Sequence, residues 1–273
     1  MDGVCIFVPT RGRYASRQTI KQLHLETLCS QWNIRLVIPE EDESKWRGTT
    51  KIILEIVPNH WRIEAIRQYI LDRHQEYPYH VVIDDDLKLF KRRGKGKVPV
   101  TNITDVETFF QHIRSLLNLF AHGSVANQSI PPQKPGLYFN ERALCFHFYQ
   151  SRVLRGLDFT ECPEYEDFHV SLSLIENGYP NVVSHYYNLN NATNQKGGCS
   201  VYRTLETQNQ NAIVFQQRHP TFVRLQTAKY SKVWQGMKVG VTIYWKKAFR
   251  ECHDPSATGV ILQVLDDMKK AIC

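Results

Sequence analysis

The chain has 273 residues, with 34 Lys+Arg against 27 Asp+Glu, a formal net charge of 34 − 27 = +7. Its 42 % apolar and 22 % charged residues exclude bulk disorder, and its length is enough to bury a sizeable core. No run of about 18 apolar residues marks a membrane span, and the positive surplus fits a polyanionic partner, nucleic acid above all.

The first ninety residues alternate regularly. Residues 4–8 are a short apolar run closed by Pro9. Residues 14–29 carry a helical pattern with Ile20, Leu23 and Leu28 among polar neighbours. Apolar runs at 36–38 and 52–57 are closed by Pro39 and Pro58, and 61–74 reads as a helix with Ile63, Ile66, Ile70 and Leu71 on one face. A fourth run, 80–83, ends in Asp84-Asp85-Asp86. Strand and helix alternating in this way predict an α/β fold, a mostly parallel sheet flanked by helices. Ligands of such sheets bind beyond the carboxyl ends of the strands. Further on, 105–120 is helical around Phe109, Ile113, Leu116, Leu117 and Phe120. Residues 123–137, with three prolines and two glycines, read as a loop, and 144–148 as a strand. Helices are expected at 166–177, 204–217 and 257–271, with an Asn-rich loop at 188–200. Nothing divides the chain, so residues 1–273 read as a single unit.

A secretory signal places charge before a long apolar run, whereas Arg11 and Arg13 follow a short one, so a cytoplasmic location is expected. The seven scattered cysteines, at 5, 29, 145, 162, 199, 252 and 273, form no CxxC pair and read as free thiols.

The strongest local signal is the acidic triple. Three carboxylates after a buried strand repel one another unless a cation joins them. Asp84 and Asp86, two apart, share one side of an extended chain and suit Mg²⁺ or Mn²⁺, which keeps waters and binds phosphate oxygens. The alternative is an acidic turn that caps the next element. A second acidic group, Glu164-Tyr165-Glu166-Asp167, opens a helix, where acids also complement the dipole. A metal-dependent group transfer needs such a separate carboxylate to deprotonate the attacking hydroxyl. Arg11, Arg13 and Arg67 lie near the strand ends, where guanidinium groups pair with phosphate. The run Gly197-Gly198-Cys199-Ser200-Val201-Tyr202-Arg203 reads as a flap whose Arg203 neutralises charge. Residues 88–97 hold six basic residues in ten, including Lys91, Arg92, Arg93, Lys95 and Lys97, and are a candidate grip on a nucleic-acid backbone. Trp245-Lys246-Lys247 offers an aromatic and two cations for the same partner, and His219 is a candidate third metal ligand. No GxxxxGK[ST] or GxGxxG occurs, so P-loop and dinucleotide folds lack support.

Taken in order, Ile6-Phe7-Val8-Pro9-Thr10-Arg11-Gly12-Arg13, Ala65–Leu71, Val82–Leu87, Glu166–Val170, 196–204, His219-Pro220 and Trp245-Lys246-Lys247 span nearly the whole chain. Together they resemble the phage glycosyltransferases associated with TET/JBP-type oxygenases, which have a GT-A-like fold. The resemblance implies transfer of a sugar from a nucleotide-sugar, a UDP-sugar by expectation, to the hydroxyl of 5-hydroxymethylcytosine in phage DNA, in the host cytoplasm. It implies metal contacts at Asp84 and Asp86, with Mn²⁺ or Mg²⁺ as cofactor. It implies nucleotide contacts at Thr10, Arg11, Arg13 and Arg67, a ribose contact within the Asp84/Asp86 pair, and Asp167 as the base of an inverting displacement; Pro9, Asp84, Asp85 and Arg203 complete the candidate donor contacts. Asp85 makes the acidic cluster a triple, and Glu166 stands beside Asp167 as a second candidate base. Residues 1–90 would then be the nucleotide-sugar half, and 91–273 the acceptor-binding and catalytic half. The other readings are a glycosyltransferase with a protein, lipid or glycan acceptor, a non-catalytic DNA-binding protein, and a metal nuclease. Acceptor screening, metal-dependent nucleotide binding and DNA degradation, respectively, separate them.

Overall fold

The computed structural model describes residues 3–94, 96–128, 134–191 and 198–253. The helix expected at 257–271, Lys95, and Lys196 and Gly197 of the flap lie outside these residues. The strands are β1 (Val4–Pro9), β2 (Asn33–Pro39), β3 (Ile53–Val57), β4 (Tyr79–Ile83), β5 (Leu87–Arg93), β6 (Gly96–Pro99), β7 (His122–Asn127), β8 (Leu137–Phe139), β9 (Phe146–Gln150) and β10 (Asn181–Asn191). Two small hairpin-like pairs follow, from β11 (Val223–Leu225), β12 (Lys229–Ser231), β13 (Gly236–Lys238) and β14 (Val241–Ile243). The helices are α1 (Gln18–Gln22), α2 (Leu25–Leu28), α3 (Glu43–Trp46), α4 (Ile63–Arg73), α5 (Ile103–Leu119), α6 (Glu166–Glu176), α7 (Leu205–Arg218) and α8 (Trp245–Cys252).

The ten-stranded sheet has the order β3-β2-β1-β4-β9-β7-β10-β5-β6, with β8 also against β10. The pairs β1–β2, β1–β4, β2–β3 and β7–β10 are parallel. Only β5, β8 and β9 run against the rest, so the expected α/β class with a mostly parallel sheet holds. Side chains alternate across β1: Val4, Ile6 and Val8 enter one apolar core, while Cys5 and Phe7 enter another beneath α4. Both faces are therefore covered, as a parallel sheet requires. The six described cysteines are free, and no described helix is long and apolar enough to cross a membrane.

Three local expectations are corrected. The helical pattern at 14–29 is two short helices, broken at His24, whose φ is +48°. Residues 123–127 are not a loop but belong to β7, every residue of which is buried. Residues 188–191 likewise extend β10, pairing Asn188 with Phe90 and Asn190 with Lys88. Gly123 shows how closely β7 is packed. A Cβ there would lie 2.3 Å from the Val182 carbonyl oxygen and 2.4 Å from the Phe148 ring. Gly123→Ala is expected to cost about 1–3 kcal/mol or more through overpacking, read as a lower denaturant midpoint.

Candidate functional site

Two strand ends and two helix starts meet in a cleft of about 550 Å³, a volume suited to a small-molecule ligand. Pro9, Thr10, Arg11 and Arg13 follow β1, Asp84–Asp86 follow β4, Arg67 projects from α4, and Glu166 and Asp167 open α6. Arg203 and Gly198 come from the flap, and all of these residues line the same cleft. Arg11 is held on its own side, its guanidinium donating to the backbone carbonyls of Asn59 at 2.6 Å and Trp61 at 3.0 Å.

The aspartate turn has a scaffold that carries no charge and no motif. The Thr19 hydroxyl donates to the Asp84 carbonyl at 2.7 Å and accepts from the Leu87 N–H at 2.8 Å. The Thr19 N–H and the Gln18 amide donate to the carbonyls of Asp85 and Asp86. Arg13 then bridges two of the three carboxylates. It pairs with Asp85 and lies 3.2 Å from Asp86 Oδ2. Asp85 is thus turned toward Arg13 and Thr10. Asp84 instead keeps 35 % of its side chain exposed and lies 3.6 Å from the Arg67 guanidinium. Burial, with the charges of Asp86, Asp85 and Asp167 and against the pull of Arg67, lifts the Asp84 carboxyl to about 7.

Arg67 is buried, and its Nε also lies 3.6 Å from Glu166 Oε1. The adjacent carboxyls of Glu166 and Asp167 are pushed in opposite directions. Burial and the Asp167 charge raise Glu166 to about 7, against Arg67 and Arg203. Burial opposes the Asp167 charge too, but His147 and Arg67 outweigh it and hold that carboxyl below the usual range. His147 Nε2 stands 3.7 Å from Asp167 Oδ2, and burial pushes its imidazole below the usual histidine value against the pull of Asp167. Of the two carboxyls, Asp167 is therefore the more readily ionised. Glu164, at the same helix start, sits at φ +62°, and Cys145, also in the lining, at φ +64°. Backbone held in that region gathers at functional sites. Arg67 Nε, Asp85 Oδ2, Glu164 Oε2, Glu166 Oε2 and Arg203 Nε are buried, have no hydrogen-bond partner among the described residues and belong to this lining, so the cleft is built for a polar occupant.

Among the described residues no three His, Cys, Asp or Glu side chains converge as a closed metal cage. The donors present, Asp84 with Asp86 beside it, fit a hard divalent ion that completes its shell with water and phosphate oxygens. His219 is not among them. It is buried behind α6, with Nδ1 2.9 Å from Glu176 and Nε2 2.8 Å from His169.

The nucleic-acid candidates are also not at the cleft. Lys91, Arg92 and Arg93 lie on β5, which runs antiparallel to β10, away from the aspartates. At the usual strand rise Arg92 is about 20 Å along the chain from Asp86. Lys97, on edge strand β6, donates to Asn190. Trp245 is buried against Phe168, so its ring is not a stacking platform, while Lys246 is exposed and Lys247 half-buried. The sequence reading missed Gln18, Thr19 and His147, as well as the cleft cations Arg142 and Lys238. The one available signal was His147, a lone imidazole between Phe146 and Phe148 in a buried strand.

The family described as TET-Associated Glycosyltransferase matches residues 4–198. No curated protein matches the sequence. Among solved structures, a CMP:2-keto-3-deoxy-manno-octonic acid synthetase complexed with CTP is similar over 79 % of this chain and 100 % of its own, with 14 % identity and TM-score 0.42. The inositol-1-phosphate CTP transferase from T. maritima is similar over 81 % of this chain and 97 % of its own, with 10 % identity and TM-score 0.43.

Proposed function

Because this chain belongs to the TET-associated glycosyltransferase family and is a glycosyltransferase, we propose that it moves a hexose from a nucleotide-sugar, a UDP-sugar, to the hydroxymethyl group of 5-hydroxymethylcytosine in phage DNA, with inversion. The observation that carries this reading is the placement of Glu166 and Asp167 in the cleft, across Arg67 from the aspartate turn. Asp167, the more readily ionised of the two, serves as the base. Asp167 takes the proton of the acceptor hydroxyl as that oxygen bonds to the anomeric carbon. The bond from that carbon to the diphosphate oxygen breaks, and the electron pair leaves with the nucleoside diphosphate. Arg67, buried beside Glu166, and Arg203, half-buried in the cleft lining, stabilise the charge that develops on it. Asp84 and Asp86 would hold Mn²⁺ or Mg²⁺, which when bound supplies further neutralisation of the diphosphate. A base in the stack cannot reach Asp167, so the target nucleotide is turned out of the duplex.

The test is to incubate the protein and Mn²⁺ with a panel of nucleotide-sugars and duplexes containing cytosine or 5-hydroxymethylcytosine. After digestion to nucleosides, a hexose-sized mass gain is expected on the hydroxymethylated base alone. No gain with any donor, or equal gain on cytosine, refutes the DNA acceptor. Protein and glycan acceptors in the same panel test the competing acceptor class.

A pH effect follows from Asp84. With its carboxyl at about 7, protons compete with the cation below that value. At subsaturating Mn²⁺ the rate is expected to rise from pH 6 to pH 8, and its midpoint to move to lower pH as Mn²⁺ is raised. A midpoint independent of Mn²⁺ concentration would show that no such competition exists.

A further inference from the structure

Arg142 and Lys238 take no part in the reaction just described, yet both line its cleft. They arrive on separate elements, and each is fixed by its neighbours. Asn209 of α7 accepts from the Val239 N–H at 2.8 Å and donates to the Met237 carbonyl at 2.9 Å, clamping the backbone on both sides of Lys238. Gly236 packs this hairpin tightly on α7, since a Cβ there would lie 2.4 Å from Leu205. Arg142 follows Glu141, whose N–H donates to the Asn181 side chain at 3.0 Å. Its guanidinium lies over the Phe168 ring, 5.1 Å from the centroid, beside the proposed base. Among the described residues neither cation has a carboxylate within ion-pair distance. The carboxyl of Glu164, on the same wall, accepts from the Thr207 hydroxyl at 2.8 Å. Burial, with the charges of Arg203 and Arg142 and against the weaker pull of Glu164, pushes the Lys238 ammonium below the lysine range.

We propose that Arg142 and Lys238 form a second anion subsite, on the acceptor side of the cleft, that takes one phosphodiester of the acceptor strand next to the nucleotide being modified. This rests on the DNA-acceptor reading above. A phosphate of the donor has the same chemistry, but it is already met by Arg67, Arg203 and the aspartate turn. The hairpin that carries Lys238 also continues past the cleft mouth with exposed Lys229, Tyr230, Lys232, Val233 and Met237, a mixed cationic and apolar surface larger than a nucleotide-sugar needs. The basic residues of β5 lie about 20 Å along their strand from the aspartates, too far to serve this linkage.

The experiment compares the wild type with Arg142→Gln, Lys238→Gln and the double variant. Acceptors are a hydroxymethylated duplex and the same duplex with one linkage beside the target replaced by a neutral methylphosphonate. The double variant is expected to raise KM for the duplex about tenfold with the KM for the donor unchanged. At one linkage the methylphosphonate costs the wild type a similar factor and costs the double variant nothing. A rise in donor KM instead assigns the pair to the donor and overturns the proposal, as does a methylphosphonate loss that the double variant suffers in full. Binding of an unmodified single-stranded oligonucleotide across salt concentrations needs no turnover. There the double variant is expected to flatten the salt dependence by about one charge. If the wild type modifies no DNA, the acceptor reading fails on its own, and an unchanged salt slope still decides against the subsite. Arg142→Lys, which keeps the charge, should retain most of the binding.

Discussion

Asp167→Asn is expected to lower kcat by about 10²- to 10⁴-fold, the contribution of a positioned general base, while donor affinity and fold persist. The fold persists because asparagine keeps the oxygen that accepts from the Phe168 N–H at 2.8 Å. What it loses is the lone-pair basicity that His147 and Arg67 keep available in Asp167. Glu166→Gln is the matched control. Burial leaves the Glu166 carboxyl at about 7, so glutamine copies its protonated form, and the loss of rate should be small near pH 7. Single-turnover rates with donor binding measured separately decide the matter. A larger loss in the Glu166 variant than in the Asp167 variant reverses the two roles.

Arg67→Met is expected to remove transfer and to destabilise the fold by about 3–5 kcal/mol at pH 8, the usual cost of stripping one partner from a buried ion pair. Asp84 keeps about a third of its side chain in solvent, so most of the cost falls on buried Glu166. The sign of the pH dependence follows from that residue. A carboxyl whose folded-state value, about 7, stands above its unfolded value binds more protons in the folded state, so its contribution to stability falls as pH rises through that window. Without Arg67 the folded value rises further and the window extends upward. The variant should therefore be only mildly destabilised at pH 6, where Glu166 is protonated, and far more at pH 8. Adding Glu166→Gln should restore stability but not transfer. Denaturant unfolding at both pH values tests this, and an equal loss at both would place the cost outside the ion pair.

The parallel half of the fold was legible because β1, β2 and β3 are apolar runs that stop at Pro9, Pro39 and Pro58, and because the helix at 63–73 keeps one apolar face. Strand β7 was not legible. His122, Gly123, Ser124 and Asn127 carry the composition of a loop, and the narrow gap between Val182 and Phe148 that requires glycine at 123 leaves no mark in the sequence. The basic segment held an overlooked alternation, with Leu87 and Leu89 buried between exposed partners. Its charge drew attention away from its period of two. At the site, charged residues at strand ends announced themselves, whereas Thr19 and Gln18 act through backbone carbonyls that no sequence pattern shows. His219 misled for the opposite reason. Its side chain suits a metal, but Glu176 and His169 already occupy both ring nitrogens.

The placement of β5 between β10 and β6 has a consequence for biogenesis. β5 ends at Arg93 and its inner partner begins at Asn181, 181 − 93 = 88 positions further along the chain. At a translation rate of about 5–20 residues per second, β5 emerges roughly 4–18 s before the strand that covers its inner edge. During that interval the inner edge of β5 lacks its strand partner, although the Thr19 hydroxyl of α1 is already available to the Leu87 N–H. The lysines and arginines interleaved with Leu87 and Leu89 then discourage pairing with other nascent chains, the task that edge charges perform in finished sheets.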